Sequence, residues 1–126
     1  MADYLKSIVN IYLGIHKFMN CSASVFVYAI ILLDRVQENN PEFAISPNNI
    51  HRLLISSHVV AAKYLDDFFY KNSYYATIGG ISVSVLNQLE MEFLALLNFN
   101  CEIPSDTFIV YCDKLEEFLN LNEPNF

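Results

Sequence analysis

The chain is short of the features that most single-domain functions need. It has three glycines, four prolines, three histidines and three cysteines in 126 residues. Gly79 and Gly80 stand together, too few to cradle a phosphate; a helix stop is the better reading. The cysteines, Cys21, Cys101 and Cys112, are odd in number and far apart. That suits reduced thiols in the nucleus or cytoplasm rather than a disulfide framework. There is no Cys-x-x-Cys and no His-x-x-x-His. His51 and His58 share a helix face but lie two turns, roughly 10 Å, apart, too far to hold one ion.

Positive charge is also scarce. Seven Lys and Arg stand against fourteen Asp and Glu, a formal net charge of −7. Nucleic-acid binding needs clustered cations to displace phosphate counterions, and here they are scattered. The longest apolar run is Val25 to Leu33, nine residues, about half of what a bilayer requires. Met1-Ala2-Asp3-Tyr4 has neither a basic segment nor an apolar one of the kind that directs secretion. The expectation is an intracellular protein without a membrane or nucleic-acid partner.

What is abundant is hydrophobicity. Apolar residues make up 54% and the mean hydropathy is +0.30. Either the core is unusually apolar, or some apolar surface waits for a partner. One domain, residues 1–126, fits the length.

The apolar residues recur with helical spacing. They predict an all-α bundle of five main helices and one short one. The first runs from about Asp3 to Met19, with Leu5, Ile8, Tyr12 and Ile15 on one face. The second, about Ser22 to Glu38, is apolar almost all round and belongs at the centre. The third begins at Ser46-Pro47, a hydroxyl cap before a proline, and continues to about Phe69, with Ile50, Leu54, Ala61 and Leu65 inward. A short helix covers Asn72 to Ile78 and stops at Gly79 and Gly80. Ser82 caps the next, about Val83 to Asn98. The last runs from Pro104-Ser105-Asp106 to about Leu121, with Asp106 at the positive end of its dipole.

Nothing here assembles a nucleophile, a base and an oxyanion site, so no enzymatic activity and no cofactor are expected. Asp66 and Asp67 are neighbours, and on a helix neighbours point about 100° apart, which prevents them from flanking one bond. Asp67 follows Lys63 by four residues, the spacing of a surface ion pair. The helix Val83 to Asn98 is the informative one. Leu86, Leu89, Phe93 and Leu96 make one apolar stripe. Glu90, Leu94 and Leu97 make a second, followed by Phe99. The second stripe either packs inside the bundle or docks a partner, with Phe99 as an aromatic anchor.

Several of these residues also fit a known pattern. Tyr28, Leu33, Asp34 and Arg35 resemble the second helix of a cyclin box. His51-Arg52-Leu53-Leu54-Ile55 and Ala61-Ala62-Lys63-Tyr64-Leu65-Asp66-Asp67 look like its third. Tyr74-Tyr75-Ala76, Gly79-Gly80-Ile81-Ser82, Asn87, Leu89-Glu90 and Phe93-Leu94 complete it. The run from Ile11 to Cys112 is similar to the P-type or U-type, phosphate-pathway cyclins. That resemblance implies a cyclin-box fold and a regulatory subunit that binds and activates a cyclin-dependent kinase through its third and fifth helices. The chain would then be a monomer or a heterodimer with the kinase. Lys63 and Glu90 match the family's paired Lys and Glu, which bond to kinase backbone. Tyr64, Leu94, Phe99 and Cys101 match apolar contact positions, and Leu97 shares their stripe. Asp34, Asp67, Gly79, Gly80 and Ser82 carry structural roles. A cyclin-fold adaptor that activates no kinase is the alternative.

The sequence departs from the pattern twice. Gly14 stands where an Arg usually pairs with the acid at Asp34, so another donor should serve, Lys17 being close in sequence. Val85 stands where a Glu often completes a capping box with the hydroxyl at Ser82.

Overall fold

The computed structural model describes residues 3–16, 23–66 and 70–122. Among them lie six helices and no strand: α1 (Asp3–His16), α2 (Ala23–Asn39), α3 (Ile50–Leu65), α4 (Asn72–Gly79), α5 (Val83–Leu96) and α6 (Ser105–Asn122). The all-α bundle expected from the spacing is present. None of the described helices is long and apolar enough to cross a membrane.

α2 is the hub, because its apolar residues leave no polar face through the middle. Val25, Ala29, Ile30, Leu32, Leu33 and Val36 are fully buried. It packs against α1, α3, α5 and α6. α3 is the second layer, buried continuously from Leu53 to Ala62. That stretch contains Ser56, Ser57 and His58, and the two serine hydroxyls are met locally. Ser56 Oγ donates to Arg52 O at 2.7 Å and Ser57 Oγ to Leu54 O at 3.0 Å. Such back-bonding lets a hydroxyl enter a helical core at little cost. The Tyr12 hydroxyl of α1 lies 2.5 Å from His58 Nδ1. The histidine is a core tie between α1 and α3, whereas His51 is exposed. Of the first helix's expected face, Ile8 and Tyr12 are buried; the side chains of Leu5 and Ile15 lie outside the described residues. A smaller cluster of Ile55, Val59, Tyr75, Ala76 and Leu86 joins α3, α4 and α5.

The turn between α4 and α5 follows its residues. Gly80 adopts φ +69°, the left-handed conformation that closes a helix, and its N–H bonds back into α4. A side chain at Gly79 would collide with Ile55 of α3. Ser82 then caps α5, its hydroxyl accepting from Val85 N at 3.1 Å.

The start of α3 differs from expectation. Residues 47–49 form a turn and the helix begins at Ile50. The hydroxyl of Ser46 accepts only a 3.3 Å bond from Asn48 N. Asn49 organises the entry instead: its Oδ1 accepts from Ser46 N at 2.9 Å and its Nδ2 donates to Ala44 O at 2.8 Å. α3 also stops earlier than Phe69, because Asp66 is already extended at φ −90° and ψ 138°.

Candidate functional site

α3 and α5 pack side by side, and their outer edges form a shallow cavity of about 200 Å³. Its walls are Val60, Lys63, Tyr64, Glu90, Leu94 and Cys101. Lys63 Nζ lies 2.8 and 3.0 Å from the two carboxylate oxygens of Glu90. Two residues 27 positions apart are thus one half-buried ion pair across two helices. Asn72, the first residue of α4, donates to Glu90 Oε1 at 3.1 Å and to Asn87 Oδ1 at 2.7 Å. The carboxylate is therefore oriented from two sides. The expected Lys63–Asp67 contact involves a residue, Asp67, that lies outside the described residues.

Apolar side chains surround the pair. Tyr64 is 51% exposed and its ring stacks on Tyr28 with centroids 5.6 Å apart. Leu94 and Cys101 are half-buried. Burial pushes the Cys101 thiol above its usual range, with Arg35 opposing the shift. Phe99 is 65% exposed. Asn98 and Phe99 have φ of +53° and +57°. Phe99 N donates back to Leu94 O at 2.8 Å, so the turn is bonded while its aromatic side chain stays in solvent.

One expected residue does not belong to this surface. Leu97 is fully buried in the main core. Leu97 follows Phe93 by four residues, and its N–H still donates to Phe93 O at 3.1 Å, so it stays in register with the buried Phe93 face. α5 ends at Leu96, and the chain turns left-handed only beyond Leu97, at Asn98 and Phe99.

Other contacts could not be read from the sequence. The Tyr111 hydroxyl of α6 donates to the carboxylate of Asp34 and supplies a donor where the usual Arg is missing. Lys17 lies outside the described residues. From α2, the Tyr28 hydroxyl donates to Cys101 O at 2.6 Å. Arg35 Nη1 donates to Glu102 O at 2.7 Å and Asn100 O at 3.2 Å. Asn40 Nδ2 donates to Leu96 O at 3.0 Å. The stripe of Leu86, Leu89, Phe93 and Leu96 faces the other way. Leu86 and Phe93 are buried, while Leu89 and Leu96 are half-buried beside Phe43 and Arg52. Among the described residues, no group of three or more His, Cys, Asp or Glu could hold a metal ion.

Comparison with known proteins agrees on one family. The family model described as Cyclin matches residues 5–101. Cyclin-U4-1 of Arabidopsis thaliana is 46% identical over 110 residues, 87% of this chain and 54% of that protein. Cyclin-U2-2 of the same plant is 43% identical over 83% of the chain and 46% of its own length. Cyclin-P4-1 of Oryza sativa subsp. japonica is 41% identical over 87% of the chain and 52% of its length. The chain spans about half the length of the curated relatives it matches.

Proposed function

Because the chain belongs to the cyclin family, to its P/U type, we propose that it docks on a cyclin-dependent kinase and switches it on. The docking surface is the α3–α5 edge. The carrying observation is that Lys63, Tyr64, Glu90, Leu94 and Cys101 share one cavity, with Phe99 projecting nearby.

The physics of that surface suits a partner. Tyr64, Leu94 and Phe99 supply apolar area that excludes water when covered. Lys63 and Glu90 offer charge-assisted bonds to backbone carbonyls and amides, stronger than neutral ones. α3 and α5 are held rigidly by the core, so little order is lost on docking. A rigid surface pressed on a kinase's regulatory helix would drive it inward. The kinase's Lys–Glu pair and activation loop then take up their active positions. The chain contributes shape and contacts, and the kinase performs the chemistry.

The test exchanges the two charges. In the double variant Lys63→Glu with Glu90→Lys, the pair can still close within the fold, so the helical circular dichroism signal and the melting temperature should stay near wild type. Affinity for a cyclin-dependent kinase, read by pull-down, should fall at least tenfold, because both partner bonds are reversed. Undiminished capture overturns the site. Stimulation of phosphoryl transfer by the wild-type chain supports activation; capture without stimulation points to an adaptor instead.

A further inference from the structure

The exposed aromatic of the docking edge stands on a segment that the main chain alone would not favour. Residues 97–102 leave α5 through two consecutive left-handed positions, Asn98 and Phe99, and neither is glycine. Asparagine tolerates that conformation; a bulky phenylalanine seldom adopts it unless its surroundings impose it.

Those surroundings come from α2. Four carbonyls at this corner, those of Leu96, Asn100, Cys101 and Glu102, accept bonds from Asn40, Arg35, Tyr28 and Arg35 in turn. Tyr28 and Arg35 sit on the helix most deeply set in the core, beside the fully buried Ala29, Leu33 and Val36, and Asn40 follows directly after its last residue. Asn40 is itself anchored, its Nδ2 also donating to Val36 O at 2.9 Å. The guanidinium of Arg35 bridges the carbonyls of Asn100 and Glu102 and so fixes the chain on both sides of Cys101. Tyr28 has a second tie to the edge, since its ring backs Tyr64.

We propose that Tyr28, Arg35 and Asn40 are positioning residues of the kinase-docking edge: from α2 and the residue just after it they hold the 97–102 segment in the conformation that projects Phe99. The assignment rests on the docking reading above. These residues do not touch the partner; they act through Phe99 and Cys101. A simple tether for stability would weaken the fold and the binding together. A positioning role separates the two.

The experiment uses the full chain with Arg35→Ala, Arg35→Lys and Tyr28→Phe. Amide hydrogen exchange of the unbound protein comes first. Arg35→Ala should lose protection at residues 98–102 while α2, α3 and α5 keep theirs, and Arg35→Lys should recover part of it. Kinase affinity is then measured in a double-variant cycle. Arg35→Ala and Phe99→Ala should each weaken binding roughly tenfold, and together by little more than either alone, because one acts through the other. Arg35→Ala combined with Glu90→Ala should instead multiply. Unchanged exchange at 98–102, or full multiplication with Phe99→Ala, overturns the assignment and leaves the docking reading standing. A wild-type chain that captures no kinase sinks the docking reading, and the exchange result alone then decides whether α2 fixes the segment.

Discussion

Phe99 violates two ordinary preferences at once. It is a large apolar side chain left in solvent, and it sits at φ +57°. Positions of that kind each cost about 1–3 kcal/mol and persist where something other than stability selects them. Phe99→Asn should therefore raise stability by about 1 kcal/mol, read as a higher urea midpoint, while lowering kinase affinity. A fall in both would show that the ring supports the fold rather than the interface. The sequence drew attention to the ring through its place after an apolar stripe, but φ is not written in a sequence. Leu97 was misplaced for another reason: it is three residues after Leu94 but also four after Phe93, and spacing alone does not say which face takes it, whereas the core does. The Asp34–Tyr111 bond was also out of reach, because the two lie 77 residues apart and only folding brings α6 against α2.

At the scale of helices, existence and order were legible and boundaries less so. Periodicity finds the middle of a helix, whereas its ends depend on a few polar atoms. Ser82 behaves as its sequence position implies, with a 3.1 Å cap bond. Ser46 does not, because Asn49 bonds to both Ser46 N and Ala44 O and so makes the entry itself. The two sites give contrasting expectations in chemical denaturation. Ser82→Ala should cost about 1 kcal/mol, the usual loss for a cap. Asn49→Ala should cost a similar ~1 kcal/mol, and Ser46→Ala only a few tenths. Equal losses at Ser46 and Asn49 would mean that the serine hydroxyl caps α3 after all.

For the molecule as a whole, the mean hydropathy of +0.30 is accounted for twice over. α2 and α3 bury long apolar runs, and Tyr64, Phe99, Ile109 and Val110 remain exposed. Global stability should also carry a mark of Tyr28. Its phenol is pushed up to about 12, first by burial and then by the neighbouring phenol of Tyr64, against an opposing bond from the Ile103 backbone. A raised value means that the folded state holds its proton longer than the unfolded chain does. The associated stability is complete below pH 10, the ordinary tyrosine value, and drains away as pH rises towards 12. Urea midpoints should fall across that window, and Tyr28→Phe should flatten part of the fall. An identical alkaline profile in the variant would assign the loss to other groups.

Lys63 and Glu90 are already closed on each other before anything arrives. An approaching protein thus meets a neutral doublet rather than two loose ions, and the doublet's influence fades within a Debye length of about 8 Å at physiological ionic strength. Farther out the doublet cancels, and the field that survives screening is that of the overall excess of seven negative charges. Under the proposed docking, dissolved salt would govern how often partners collide, and the doublet how long they stay.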